Sequence, residues 1–172
     1  MKLFNYVFNQ CASLSGVAEN TFEGCASVTT MMYAFGNCTS LQSIPDKLFR
    51  DMTDSVIFSY VFSTCRSLEA IPSGLFSTCT GATSFERAFF NSTSLKTVPD
   101  SLFEGMTKAT SFAYCFSGCT GLVSAGDNLF KNASAATSFS NVFSGCTSLI
   151  DVGLNIFSGC SSATTFIYAF SQ

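Results

Sequence analysis

The chain has 172 residues, with 20 Phe, 9 Cys, 5 Tyr, no His and no Trp, and a net charge of −3 from 8 basic and 11 acidic side chains. Without His there is no Ser-His-Asp or Cys-His nucleophile pair, no His-ligated zinc and no imidazole switch, and scattered bases outnumbered by acids leave no electrostatic footprint for nucleic acid or anionic lipid. Apolar residues make up 47% of the chain, yet they never form the run of ~18 that membrane insertion requires.

Residues 1–10, MKLFNYVFNQ, open with a Lys among apolar residues, but Asn5, Asn9 and Gln10 interrupt them and the apolar stretch of a secretion signal does not follow. The segment reads instead as the start of a repeat, so no signal peptide is expected in this chain. Phe8, Phe35, Phe62, Phe89, Phe116, Phe143 and Phe170 are each 27 residues apart. A second column at the same spacing is Phe4, Met31, Phe58, Phe85, Phe112, Phe139 and Phe166, and a third runs from Phe22 through Phe49, Phe76, Phe103 and Phe130 to Phe157. Together they hold 19 of the 20 Phe. Leu14, Leu41, Leu68, Leu95, Leu122 and Leu149 keep the register, as do Pro45, Pro72 and Pro99, followed by Gly126 and Gly153.

Within a unit, the spacing of Phe4, Val7, Phe8 and Cys11 predicts a short helical or 3-10 turn. The T-S-L-x-x-[IV] stretch that follows, stopped by Pro or Gly, predicts a short strand. Phe22, Cys25, Val28 and Met31 then repeat the first pattern, so each unit is a pair of similar halves. A lone unit cannot offset the entropy of ordering itself, whereas stacked units share a core. The expected architecture is a leucine-rich-repeat-like solenoid of about six 27-residue coils, with stacked parallel strands and short helical turns, forming a single domain over 1–172. Residues 163–172 return to the phase of 1–10, and neither end carries a polar capping unit. That leaves three expectations open: a piece of a longer array, ends that mate with other copies, or ends covered by their own side chains.

The segments FGNCTSL (35–41), FSTCRSL (62–68) and FSGCTSL (143–149), with SLQSIPDKLF (40–49), SLEAIPSGLF (67–76) and SLKTVPDSLF (94–103), resemble the BspA-like leucine-rich repeats of bacterial cell-surface proteins. The resemblance covers essentially the whole chain. It departs from the common form in its longer unit and in the Gly that replaces Pro in residues 109–162. It implies an extracellular, cell-surface or virion-surface protein of host-associated bacteria or their phages, and adhesion to host proteins or other cells.

Cys11, Cys38, Cys65, Cys119 and Cys146 share a column with Ser92, and Cys25, Cys79 and Cys160 share one with Met52, Met106 and Ala133. Positions that accept Ser, Met or Ala are packing positions, so the thiols read as reduced and buried. Stacked rungs nevertheless lie within disulfide reach, and no C-x-x-C pair offers a metal site. Asp46, Asp100 and Asp127 recur with Glu19 but alternate with Ser73 and Leu154, which suits solvated or capping acids rather than a catalytic pair. Thr29, Thr83, Thr110, Thr137 and Thr164 form a hydroxyl column whose breaks favour an ordinary strand face over an ice-binding lattice.

All five Tyr fall in one column, Tyr6, Tyr33, Tyr60, Tyr114 and Tyr168, with Arg87 and Asn141 in its other two places. Tyr6, Tyr33, Tyr60, Arg87, Tyr114 and Tyr168 are the candidate binding stripe, because Tyr and Arg dominate recognition hot spots. The competing reading is half-buried rings that stiffen the stack. The expected function is non-enzymatic recognition or adhesion, with a protein or glycan ligand on another cell or matrix, and with no cofactor, metal, nucleic acid or membrane insertion. The alternative is a structural subunit that stacks end to end into a filament.

Overall fold

The computed structural model describes residues 2–54 and 56–172. The chain returns to the same place every 27 residues, each turn of chain, or rung, lying on the one before it. Five short strands are formed: β1 (Lys2–Leu3), β2 (Val28–Thr30), β3 (Thr97–Val98), β4 (Ser124–Ala125) and β5 (Asp151–Val152). β1 pairs with β2, and β3, β4 and β5 form a three-stranded sheet, all parallel. Single parallel bridges extend the first ladder from Thr30 through Ile57, Ser84, Ser111 and Ser138 to Thr165, and the second ladder back to Ala70.

β3 and β5 fall in the predicted T-S-L-x-x-[IV] stretch and β4 at the same register in TGLVSA (120–125), and they appear where Pro gives way to Gly. Gly126 and Gly153 donate their backbone N–H to the carbonyls of Val98 and Ala125 at 2.9 and 2.8 Å. Pro has no such N–H to give.

The predicted helical turns do not form; the described residues contain no helix. Between Phe4 and Leu14 the bonds Asn9 N–H to Tyr6, Cys11 to Phe8 and Leu14 to Cys11 close i→i−3 turns, but Tyr6 and Gln10 are left-handed, with φ of 61° and 63°. A positive φ every few residues breaks helical propagation and turns alternate N–H groups along the stack. The amides of Phe4, Tyr6, Phe8 and Gln10 therefore donate to the carbonyls of Thr30, Met32, Ala34 and Gly36 on the next rung. The same row recurs from Phe58, Tyr60, Phe62 and Thr64 to Ser84, Glu86, Ala88 and Phe90.

The three Phe columns become three files of stacked rings. In the file from Phe8 to Phe170 the centroids are 5.1–5.6 Å apart, in that from Phe58 to Phe166 5.3–5.6 Å, and in that from Phe22 to Phe157 5.6–6.0 Å. Between files the rings meet edge to face, as Phe76 and Phe85 do at 4.9 Å and 72°. Both geometries suit the aromatic quadrupole. Rings in the middle rungs are wholly buried, whereas Phe166 and Phe170 remain 43% and 47% exposed.

All nine Cys are free thiols. They do more than fill space, because each buried one in the Ser92 column finds a carbonyl 30 residues back: Cys38 Sγ lies 3.0 Å from the Phe8 oxygen, Cys65 3.2 Å from Phe35, Cys119 3.1 Å from Phe89 and Cys146 3.1 Å from Phe116. Ser92 replaces Cys in that column and donates to the Phe62 carbonyl at 3.0 Å. The Thr column behaves likewise: Thr83, Thr110, Thr137 and Thr164 place their hydroxyls 3.1–3.4 Å from the carbonyls of Val56, Thr83, Thr110 and Thr137. Those hydroxyls bond to the neighbouring rung, as a strand face would have them.

Candidate functional site

The Tyr column sits on the first turn of each rung, at the left-handed position. Tyr6, Tyr33, Tyr60, Arg87, Tyr114, Asn141 and Tyr168 all have φ between 54° and 61°. Each backbone N–H from Tyr6 to Asn141 is held by a carbonyl of the next rung at 2.8–3.2 Å, Tyr60 by Glu86 and Tyr114 by Ser140. One backbone conformation, locked by one bond at six of the seven positions, launches the side chains in the same direction. For Tyr and Arg this conformation costs on the order of 1–2 kcal/mol each, which the ring contacts along the stack offset.

Those contacts are close. Tyr6 and Tyr33 stack at 5.2 Å and 9°, and Tyr33 and Tyr60 at 4.2 Å and 17°. Arg87 continues the stack as a planar cation, with Cζ 5.3 Å from the centre of the Tyr60 ring and 4.5 Å from that of Tyr114. Its Nη1 also donates to the Tyr60 hydroxyl, and Phe90 flanks it at 5.8 Å. Burial alone would lower the Arg87 pKa, but the hydrogen bond to Tyr60 and the neighbouring Tyr60, Glu86 and Tyr114 raise it instead, so the guanidinium stays charged. Burial, with the adjoining Tyr60, pushes the Tyr33 phenol above its ordinary value.

Tyr33, Tyr60, Arg87 and Tyr114 are half-buried, and Tyr6 and Tyr168 are 53% and 68% exposed. The column thus brings five of its six candidate residues, Tyr6 through Tyr114, into one contiguous stack. It separates the sixth, Tyr168, by one rung at Asn141. In the contiguous part the ring faces are spent on one another, so the surface offered outward consists of ring edges and hydroxyls. Phe90 belongs to this site although it matches none of the three Phe columns. Its signal was that mismatch, because a Phe outside the buried files stands where the other rungs have Asn9, Gly36, Ser63, Ser117, Ser144 and Ser171.

Elsewhere the polar residues are used in stacking. Asp46 Oδ1 accepts from Gly74 N–H at 2.8 Å, Asp100 Oδ1 from Asp127 N–H at 2.9 Å, and Asp127 Oδ1 from Leu154 N–H at 2.7 Å. These acids cap the next rung. The described residues contain no cluster of three or more potential metal ligands, and no helix long and apolar enough to cross a membrane. Burial pushes the thiol of Cys38 up to about 11 and those of Cys79 and Cys146 up to about 12, away from any nucleophilic role at neutral pH.

No protein-family model matches the chain, and no curated protein matches it in sequence. Among solved structures it is similar to a leucine-rich repeat protein of T. pallidum, at 21% identity and a TM-score of 0.41 over 88% of this chain and 72% of the other. It is also similar to a leucine-rich repeat protein from Bacteroides ovatus, at 22% identity and a TM-score of 0.28, over 92% of this chain and 56% of the other, little more than half its length. A third similarity, at 17% identity and a TM-score of 0.24, is to a leucine-rich cell surface protein from Faecalibacterium prausnitzii, over 87% of this chain and 68% of that one.

Proposed function

We propose that the chain is a non-enzymatic recognition module: a single leucine-rich-repeat-like solenoid of about six coils over 1–172, related to the BspA-like repeats its motifs resemble, that binds a ligand at a bacterial cell or virion surface. The observation that carries this reading is the stripe from Tyr6 to Tyr114, where five Tyr and Arg side chains in register are half-buried or exposed and held by paired backbone. Preorganised Tyr and Arg lose little freedom on binding, which is what makes them recognition anchors. Stacking on a sugar needs a free ring face, and here most faces are covered. Edges and hydroxyls suit a protein ligand better than a glycan. The buried thiols are compatible with an oxidising exterior, because they are desolvated and protonated.

The test is a binding screen of the purified chain against host-surface proteins, matrix proteins and glycans, repeated with Tyr33, Tyr60 and Tyr114 replaced together by Ser. The expected result is a protein ligand whose affinity falls at least about tenfold in the folded triple variant. A ligand bound with unchanged affinity makes the stripe a stiffening element only.

End-to-end stacking is the second reading. It is favoured by the hollow lined by Phe143, Cys146, Leu149, Ile150 and Phe170 and by the neighbouring exposed rings of Phe166 and Tyr168. Sedimentation separates the two: long polymers in dilute buffer support the filament, and a monodisperse monomer removes it.

A further inference from the structure

The stripe contains one frame twice. Tyr60, Arg87 and Tyr114 form a sandwich in which a guanidinium lies between two phenol rings, 5.3 Å from one centre and 4.5 Å from the other. Tyr114, Asn141 and Tyr168 repeat it two rungs on, with the same backbone: φ is 57°, 56° and 54°, against 60°, 54° and 57° in the first frame. The amides of Tyr114 and Asn141 are held by Ser140 and Ile167 at 2.9 and 2.8 Å, as those of Tyr60 and Arg87 are held by Glu86 and Ala113 at 2.9 Å each. Two rungs separate the outer rings in each frame by about 10 Å. In the first frame a planar cation fills that width; in the second the middle side chain is an Asn, too short to lie between the rings.

The second frame is also more open. Phe90 shields Arg87 on one side of the filled frame, whereas the corresponding place beside Asn141 is Ser144. The Asn141 side-chain amide makes no hydrogen bond to any described residue. An Asn carbonyl at the floor of a slot with aromatic walls is an acceptor for a guanidinium N–H, and the ring faces attract a cation.

We propose that the slot between Tyr114 and Tyr168, floored by Asn141, is a binding site for an arginine side chain of a partner protein, which completes the sandwich as Arg87 does within the chain. This rests on the recognition reading and names the chemistry of its contact. Arginine is the occupant because its plane stacks on both walls while its N–H groups reach Asn141. A lysine ammonium is a point charge with no plane to stack.

The test uses the whole chain labelled with nitrogen-15 and the peptides acetyl-Gly-Arg-Gly-amide, acetyl-Gly-Lys-Gly-amide and acetyl-Gly-Tyr-Gly-amide. The Arg peptide is expected to shift the Asn141 side-chain amide and the Tyr168 backbone amide saturably, with a dissociation constant on the order of 1 mM. The Lys and Tyr peptides are expected to bind at least about fivefold more weakly. Asn141→Arg fills the slot from within and is expected to abolish the Arg-peptide shifts while leaving the fold intact, since Arg87 already occupies the same conformation. Tyr168→Ser, which removes one wall, is expected to weaken binding about tenfold. Absence of saturation, equal binding of the Lys peptide, tighter binding of the Tyr peptide, or a response that survives Asn141→Arg each overturns the proposal. If the peptide result is negative while Tyr33 and Tyr60 substitutions still remove a protein ligand found by the screen, the slot falls and the recognition reading stands. Saturation of the slot with no dependence of that ligand on Tyr33 and Tyr60 gives the converse.

Discussion

The junctions where Pro72 and Pro99 follow the Leu column and those where Gly126 and Gly153 do so hold neighbouring rungs together by different means. On the Pro side, the second turn of each rung bonds within itself, Leu48 N–H to Pro45, Arg50 to Lys47, Leu75 to Pro72 and Ser77 to Gly74. The link between rungs there falls to side chains where one forms: Gly74 N–H to Asp46 at 2.8 Å before Pro72, and Gly24 N–H to Asp51 and Arg50 to Glu23, both at 2.7 Å, before Pro45. On the Gly side the backbone itself crosses. Ser101, Phe103 and Gly105 donate to Asp127, Leu129 and Lys131, and Asn128, Phe130 and Asn132 donate to Leu154, Ile156 and Ser158. Ser101, Asn128 and Asn155 are left-handed on this side, the conformation that turns an N–H along the stack in the Tyr turns as well. A single column, Pro or Gly, thus accompanies the choice between exposed polar links, which salt screens, and a continued ladder, which it does not.

The largest expected effect comes from closing that choice at Gly126. A Cβ there would lie 2.5 Å from the Asp100 backbone nitrogen and 2.7 Å from the Pro99 carbonyl carbon, neither of which can yield without moving the rung. Gly126→Ala is expected to cost about 3 kcal/mol in urea unfolding. Gly16→Ala, with nothing within 4 Å of its Cβ, is expected to change stability by less than about 0.5 kcal/mol. Equal effects from the two would show that close approach does not define the Gly junctions.

Alkaline pH should act on both kinds of junction alike. Cys79, on the Pro side, and Cys146, on the Gly side, are both buried, with thiols pushed from an ordinary value near 9 to about 12. Their folded pKa is raised, so the unfolded state loses protons first; this stability is fully present below pH 9 and is lost as pH rises towards 12. At one pH unit above the unfolded value the two thiols together cost on the order of 2–3 kcal/mol. Chemical unfolding at a series of pH values should show one cooperative transition whose midpoint falls, and Cys79→Ala should flatten that fall. A midpoint independent of pH would mean that the thiols are not desolvated.

A smaller contrast isolates the thiol as a donor. Cys119→Ala removes the 3.1 Å thiol bond to the buried Phe89 carbonyl, which keeps the Ser92 N–H at 3.2 Å, and is expected to cost about 1 kcal/mol. Cys119→Ser keeps a donor there, as Ser92 does, and is expected to cost less than the Ala variant under the same urea titration. If Ser is the worse of the two, packing alone governs the column.

The stacking register was readable because a strict period places like residues over like, and Phe85 over Phe112 or Leu68 over Leu95 leaves no other way to bury both. The role of Cys was half-readable. Its exchange with Ser92 reads as tolerance of a packing position, although Ser in a buried column also announces a hydrogen-bond donor. The predicted helical turns differ from the structure because a spacing of 3 and 4 is shared by helices and by successive i→i−3 turns, and only positive φ separates them. Asn37, Asn91, Gly118 and Gly145, one register position with Gln10, carried that signal, since Asn and Gly favour the left-handed region. The Tyr column concealed it, because Tyr and Arg hold the same conformation against their local preference for the sake of the stack. For the candidate site, the column and its two exceptions were visible in sequence. That its faces are covered, and that Arg87 and Asn141 make a filled and an unfilled frame, depends on ring geometry that no spacing encodes.

The smallest expected effect is the most direct measure of the two junction types. In hydrogen exchange, the amides of Phe103, Gly105, Phe130 and Asn132 should be protected well beyond those of Phe49, Asp51 and Phe76, which make no backbone bond of this kind to the next rung among the described residues. Pro99→Gly restores the missing N–H at the place where Gly126 and Gly153 bond to the rung before them. It adds one ladder bond, worth about 1 kcal/mol, and removes the proline's restriction of the unfolded chain, worth a similar amount in the opposite sense. Stability should therefore move by less than about 1 kcal/mol while a new, slowly exchanging amide appears at position 99, bonded to Ile71. A fast-exchanging amide there would show that the Pro junctions are open for a reason beyond the absent donor. Asp46, which caps Gly74 across the preceding gap, between the rungs of Pro45 and Pro72, would then be the residue to change next.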